Sequence, residues 1–270
     1  ASDDMAANIE VACGLIADAV TEGASFVALP ENVSYIGPSA TSGRDCAMSE
    51  EEHPALAAFC EVAAKSGIWL LGGSLGIRSD DGRALNRSFL INSVGNVTAR
   101  YTKIHMFDVD LLGGERYRES DSFVPGEQAV TSSTPWGKLG MTVCYDIRFP
   151  HLFRDLAHAG AELLTVPAAF TCTTGSAHWH ILLRARAIET GAFIFAPAQC
   201  GEHAGGRETY GHSLIIDPWG EVLVDAGKEH GFVVADIDMA RVSEVRGMVP
   251  SLKHDRRYLM LDVNNDPSDI

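Results

Sequence analysis

Apolar residues recur along the chain with two spacings, and each spacing predicts one type of secondary structure. Residues 5–21 and 54–65 carry apolar side chains at every third or fourth position, which is typical of one face of an α-helix. Gly23 and Gly67 follow these segments and supply helix stops. Shorter apolar runs predict strands at 68–75, 88–93 and 97–103.

The second half of the chain alternates strands with helices in the same way. The pattern predicts a strand at 139–144, a helix at 150–159, a strand at 162–167, a helix at 177–190, a strand at 193–199, a hairpin at 212–217 and 221–224, and a strand at 232–236. Strands separated by helices predict an α/β protein with helices packed on sheets. Because no repeat or linker interrupts the pattern, we expect one domain over residues 1–270.

Three polar or glycine-rich stretches, 34–52, 107–134 and 201–208, predict irregular loops. Long loops in compact domains are often functional, so we expect these stretches to surround a site. The polar tail from Val263 is expected to be loose or to cross to a partner subunit.

Composition narrows the classes of protein. The 270 residues carry a net charge of −15, which argues against binding to nucleic acids or to anionic membranes. No apolar run approaches the roughly 20 residues of a membrane span. The six cysteines are scattered and predict no disulfide framework, as expected in a reducing cytoplasm.

Three residues of complementary chemistry follow predicted strands. Glu31 comes just after a short apolar run, Lys103 ends a strand, and Cys144 lies at the tip of another. A thiol attacks carbonyl carbon as its thiolate, so it needs a nearby base or cation. Glu31 can accept the proton, while Lys103 and the Tyr145 N–H can stabilise an oxyanion. Taken singly, each has an ordinary explanation: a helix-start carboxylate, a surface charge and a small buried apolar residue.

The motifs around these residues, in this order, resemble the carbon–nitrogen hydrolase (nitrilase) superfamily. The resemblance implies an αββα four-layer sandwich, a Glu-Lys-Cys triad formed by Glu31, Lys103 and Cys144, a second glutamate at Glu119, and a homodimer or higher homo-oligomer. Glu119 taken alone would be a loop carboxylate. The similarity extends over nearly the whole chain through the segments 29–31, 103–105, 119–126, 144–150, 178–189, 210–213 and 217–220.

Within that superfamily the chain is most similar to the Nit branch, and it departs from the branch in two places. An apolar first strand usually precedes the first helix but is missing here, and we expect this to be an effect of where the sequence starts. His180 stands where the branch usually has glutamate, which alters the expected pocket.

Further residues are candidates for substrate contacts. Arg148 is expected either to hold a substrate carboxylate or to pair with Asp146 or Asp155, and Arg207 to meet an anionic tail. By resemblance His178 lies near the substrate, although a structural histidine is nearly as good an interpretation. Trp179 is a candidate for substrate contact, but a position in the hydrophobic core is the better interpretation.

Neither a metal nor another cofactor is expected. Cys172, His178 and His180 are close in sequence, but residues two apart on a helix point to different sides. They complete no zinc-ligand spacing. Gly72 and Gly73 lie in a glycine-rich stretch that lacks the features of a phosphate loop.

The resemblance predicts an amidase that acts through a cysteine thioester on a small carboxylate-bearing amide. The expected substrate is deaminated glutathione or an ω-amide of a keto acid. The alternatives are an N-carbamoyl amino acid hydrolase or a nitrilase of the same superfamily, and then a non-catalytic binding protein.

Overall fold

The computed structural model describes residues 1–39, 41–111 and 114–261. In chain order its helices are α1 (Met5–Thr21), α2 (Ser42–Asp45), α3 (Pro54–Ser66), α4 (Pro150–His158), α5 (Cys172–Thr190) and α6 (Ala240–Met248). Its strands are β1 (Phe26–Ala28), β2 (Trp69–Arg78), β3 (Ala84–Ile91), β4 (Val97–Thr102), β5 (Asp108–Asp110), β6 (Arg116–Arg118), β7 (Val130–Thr134), β8 (Gly137–Met141), β9 (Leu163–Thr165), β10 (Phe193–Ala196), β11 (Cys200–Glu202), β12 (Glu208–Tyr210), β13 (Leu214–Ile216) and β14 (Val222–Asp225).

Two sheets pack against each other between two layers of helices. One sheet has the order β1-β2-β3-β4 and the other β14-β13-β10-β9-β8-β7. Apolar side chains of α1 and α3 cover the first sheet, and those of α4 and α5 cover the second. The inner faces meet through aromatic contacts such as Phe26 with Phe195, whose ring centroids lie 5.3 Å apart. The predicted αββα order of layers is therefore confirmed.

Most predicted elements are present with shifted ends. The first helix has its predicted bounds, and the Asp4 side chain caps it by accepting the Ala7 N–H. Helix α5 begins five residues before the predicted 177, because the Thr171 hydroxyl caps the Thr174 N–H. Small polar residues in that first turn lack the apolar spacing from which a helix is recognised.

The predicted loops contain regular secondary structure that their polar sequences do not predict. The stretch 107–134 includes the β5–β6 hairpin, a short 3₁₀ helix at Glu119–Asp121 and β7. The stretch 201–208 forms much of the β11–β12 hairpin, and 34–52 contains α2. Helix α6 was not predicted. Residues 40, 112 and 113 of these stretches lie outside the described residues, as does the tail from Val263.

The predicted strand at 232–236 is wrong for the described part of the chain. This segment has no regular secondary structure and belongs to neither sheet. An apolar cavity of about 640 Å³ lies against it and is also lined by residues of α1 and β1. Glu31, Lys103 and Cys144 do not line that cavity.

No helix in the described ranges has the length and apolar character needed to cross a bilayer.

Replacing Gly73 with alanine is expected to destabilise the protein and to displace the chain before Glu31. Gly73 has φ +61°, and an added Cβ would overlap the Pro30 carbonyl oxygen. Gly82 also has a positive φ, +84°, but open space surrounds it. Gly82→Ala should cost about 1–2 kcal/mol of backbone strain, and Gly73→Ala about 1–3 kcal/mol more from the overlap. Urea unfolding of both variants checks this, and equal losses would show that the Pro30 contact is unimportant.

Candidate active site

Glu31 is delivered to the interior by the chain that leaves β1. Its carboxylate is 3% exposed. Oε1 accepts hydrogen bonds from Lys103 Nζ at 3.0 Å and Asn86 Nδ2 at 2.8 Å, and Oε2 accepts one from the Ala169 N–H at 2.8 Å. Each oxygen thus has a fixed donor, so the carboxylate is held in one orientation.

Lys103 lies at the end of β4 between two carboxylates. Its N–H donates to the Asn86 carbonyl at 2.9 Å, which continues the strand by one residue. Its ammonium donates to Glu31, and to both oxygens of Glu119 at 2.9 and 2.8 Å. The Phe107 N–H also donates to Glu119, at 2.7 Å. The sequence pointed to Glu119 only through the resemblance, and the fold brings it to the lysine.

Cys144 opens a 3₁₀ helix, Cys144–Arg148, just beyond the end of β8. Its φ of +50° lies in the left-handed region, which residues other than glycine seldom adopt. Its N–H donates to the Pro167 carbonyl at 2.9 Å. The thiol interacts with the Glu31 carboxylate and with the Ala169 N–H. Such a strained turn at a buried thiol is typical of a functional position.

Asp146 holds this turn in place. Its fully buried carboxylate accepts hydrogen bonds from the Tyr101 hydroxyl at 2.6 Å and the Val143 N–H at 2.8 Å. The other oxygen lies 3.1 Å from the His105 N–H and 2.7 Å from His105 Nδ1. Asp146 therefore ties the turn to the chain around Lys103.

Burial and charge set the protonation states of the three central groups. Burial raises the pKa of the Cys144 thiol well above its usual range, Glu31 raises it further, and Lys103 only partly opposes this. Burial alone would raise the pKa of Glu31, but Lys103 and the Cys144 hydrogen bond outweigh it and lower that pKa. Burial lowers the pKa of Lys103, yet Glu119 and Glu31 raise it well above its usual range. The resting site is a thiol, a carboxylate and an ammonium.

Tyr145 is the second residue of the 3₁₀ helix, so its N–H belongs to a first turn that has no acceptor within the helix. Its ring packs 5.1 Å from the Phe107 ring, between centroids. Tyr145 therefore offers a backbone donor next to Cys144, and the Lys103 ammonium is close enough to influence the thiol electrostatically.

Two arginines lie beside these residues. Arg207 Nη2 donates to the Ala169 carbonyl at 2.9 Å, and its buried Nε has no hydrogen-bond partner among the described residues. Arg148 lies over the rings of Phe170 and Tyr145, at 5.5 and 5.7 Å. The prediction that Arg148 pairs with Asp146 or Asp155 is wrong, because Arg148 forms no ion pair within the described residues. Asp146 binds Tyr101 and His105 instead.

The remaining candidate residues, His178, Trp179 and His180, lie in different environments. His178 Nδ1 lies 3.2 Å from Arg148 Nη2. Trp179 is fully buried in the core and donates from Nε1 to the His212 carbonyl at 2.8 Å, so it does not face a ligand. His180 turns away from His178 and pairs with Asp225. The fold does not bring Cys172, His178 and His180 into one metal site.

Asn86, Asp146 and Ala169 are site residues that sequence reasoning missed. Asn86 precedes the predicted strand at 88–93, and Ala169 contributes only its backbone. Asp146 was visible two residues after Cys144, and an acidic residue so near a thiol was the one available signal.

Comparisons with known proteins show which family the chain is similar to. The carbon-nitrogen hydrolase family model matches residues 2–247. A deaminated glutathione amidase of Synechocystis is 41% identical over 92% of this chain and 92% of its own length. Omega-amidase NIT2 of mouse is 35% identical over 93% of this chain and 90% of its own. The NitFhit crystal structure from C. elegans superposes with a TM-score of 0.88 and 37% identity, over 94% of this chain and 62% of that one.

Tyr101→Phe is expected to destabilise the protein by about 1.5–3 kcal/mol, because it removes a hydrogen bond to the buried Asp146 carboxylate. Tyr117→Phe is the matched control, since that hydroxyl donates to the exposed Glu115 at 3.1 Å. It should cost well under 1 kcal/mol. Chemical denaturation measures both, and a Tyr101 variant as stable as the control would contradict the role of Asp146.

Proposed function

The chain belongs to the carbon–nitrogen hydrolase family, and we propose that Glu31, Lys103 and Cys144 hydrolyse a small carboxylate-bearing amide through a cysteine thioester. The observation that carries this proposal is the shared contact of Cys144 and Lys103 with one buried carboxylate, Glu31. A nucleophile, its base and an electrophilic cation then act on one reacting carbon. The proposal treats residues 1–270 as one catalytic domain.

In the first half-reaction, Glu31 takes the Cys144 proton as sulfur attacks the amide carbon. The oxyanion that forms accepts hydrogen bonds from the Lys103 ammonium and the Tyr145 N–H. When the tetrahedral intermediate collapses, the carbon–nitrogen bond breaks and Glu31 gives its proton to the leaving nitrogen. The products of this step are a free amine or ammonia and a thioester on Cys144.

In the second half-reaction, Glu31 takes a proton from water, whose oxygen attacks the thioester. The same donors stabilise the second oxyanion, and the carbon–sulfur bond then breaks. The proton returns to sulfur and a carboxylic acid leaves. Glu119 serves as a positioning residue, because its carboxylate accepts hydrogen bonds from the same Lys103 ammonium that donates to Glu31.

Deaminated glutathione is the proposed substrate. The 41% identity to an amidase of that name supports it. So do Arg207 and Arg148, which pair with no carboxylate among the described residues and lie next to Ala169 and Tyr145. Guanidinium groups bind carboxylates well. His178, in contact with Arg148, is the third proposed substrate contact.

An ω-amide of a keto acid is the second candidate substrate, favoured by the 35% identity to an omega-amidase. Hydrolysis of an ω-amide of a keto acid releases ammonia, whereas hydrolysis of deaminated glutathione releases cysteinylglycine. An N-carbamoyl substrate would release carbon dioxide together with ammonia.

We also propose that the protein acts in the cytoplasm as a homo-oligomer. All six cysteines are free, as expected in a reducing compartment. Ile181 and Ile188 on α5 are 68% and 53% exposed, and Trp219, whose neighbour Gly220 approaches Ile188, is 50% exposed. An apolar patch of this kind fits a second copy of the chain.

Cys144→Ala is expected to lower kcat/KM for deaminated glutathione by on the order of 10⁴-fold or more, because no other group can form the thioester. Glu31→Gln keeps the shape but cannot accept a proton, and should lose a similar factor. Cys13→Ala, on α1, is the control and should keep full activity. Cysteinylglycine release measures all of these. If the wild type hydrolyses only the ω-amide of a keto acid, the proposed substrate is wrong. Turnover by Cys144→Ala would refute the mechanism.

Ile181→Asp is expected to shift the protein to monomers in sedimentation velocity, because a buried unpaired carboxylate would oppose assembly. Val94→Asp is the matched control, since Val94 is 67% exposed on a turn far along the chain from α5. A wild-type monomer would contradict the oligomer, and an unchanged oligomer in Ile181→Asp would contradict this surface.

A further inference from the structure

Three side chains from separate parts of the chain converge on the β13–β14 side of α5. Within the described residues, His180, His212 and Asp225 form the one group of potential metal ligands whose donor atoms all lie within 4.8 Å of one another. His180 belongs to α5, His212 to the connection between β12 and β13, and Asp225 to the end of β14. The proposed catalytic mechanism uses none of them.

Both imidazoles point at the Asp225 carboxylate, and His212 Nδ1 lies 3.0 Å from each of its two oxygens. His180 Nε2 and His212 Nδ1 each lie 3.0 Å from Asp225 Oδ2. In a tetrahedral zinc site with bonds of roughly 2.0–2.1 Å, neighbouring ligand atoms are about 3.3 Å apart. The two nitrogen–oxygen distances therefore need to open by only a few tenths of an ångström to admit an ion.

The surroundings hold this geometry. His212 has φ +56°, and its ring stacks on Tyr210 with 4.4 Å between centroids. The Gly227 N–H donates to Asp225 Oδ1 at 2.8 Å. The side chains of His180, His212 and Asp225 are 32%, 19% and 33% exposed, so an ion can enter from solvent.

We propose that His180, His212 and Asp225 bind a divalent transition-metal ion such as Zn²⁺. Two neutral imidazoles and one carboxylate are a donor set that zinc accepts, with a water completing the four ligands. Each ring binds through the nitrogen that faces Asp225 and carries its proton on the other nitrogen. The ion fastens α5 to the β13–β14 hairpin, and its role is structural rather than catalytic.

The chain offers a contrasting pair that should not bind zinc. His158 Nε2 lies 2.9 Å from Asp255 Oδ2, but the second partner of that carboxylate is Arg154, which cannot bind a metal. A carboxylate paired with one imidazole is therefore present without the second ligand.

The test is calorimetric titration of chelator-treated protein with ZnCl₂, in a Cys144→Ala background that excludes binding at the site thiol. One ion per chain is expected. His180→Ala and His212→Asn should each weaken binding by roughly tenfold or more, and His158→Ala should not change it. Asparagine suits the second variant because it tolerates positive φ.

Thermal unfolding supplies the second measurement. Zinc should raise the midpoint of the starting protein and of His158→Ala, and should raise it much less in the two ligand variants. Midpoints without zinc show whether each variant folds. Absence of zinc binding, or equal affinity in the ligand variants, would overturn the proposal, since zinc would then be held elsewhere or not at all.

Discussion

The buried ammonium of Lys103 is the interaction on which the site depends. It lies between the carboxylates of Glu31 and Glu119 and is 2% exposed. Removing three charged groups from water costs several kcal/mol per ion, and two neighbouring carboxylates without a cation would not both stay ionised. Lys103 thus keeps Glu31 ionised, as its proposed role as a base requires. The two carboxylates keep Lys103 protonated, as its proposed role as an oxyanion donor requires.

The backbone brings these groups together from four strand ends across both sheets. Glu31 follows β1 and Lys103 ends β4 in one sheet, whereas Cys144 follows β8 and Ala169 follows β9 in the other. Ala169 links the two halves, because its N–H binds Glu31 and its carbonyl binds Arg207. The two sheets must therefore pack face to face for the site to form as well as for the core to close. The contacts of Asp146 help to hold the strained backbone at Cys144.

Much of this could be predicted from local pattern. Helical spacing located α1 and α3, and the strand-end positions of Glu31, Lys103 and Cys144 follow from short apolar runs. The layered fold and Glu119 came from family resemblance. Asn86, Ala169 and the His180–His212–Asp225 group could not be found, because backbone donors leave no sequence signal and contacts between distant segments depend on the packing of the sheets. Segment 232–236 has the short apolar run typical of a strand, but strand pairing requires a neighbour that no local run can reveal.

The protonation state of Cys144 in the resting protein is the most direct test of the proposed mechanism. Thiolate absorbs in the ultraviolet, so the difference between wild type and Cys144→Ala across about pH 6 to 8.5 reports this one sulfur while the other five cysteines cancel. We expect no thiolate signal over that range, because burial and Glu31 raise the thiol pKa and, in the proposed mechanism, the proton leaves only as substrate is attacked. A thiolate step at or below neutral pH would contradict it, since Cys144 and Lys103 would then form a standing ion pair and Glu31 would not be the base.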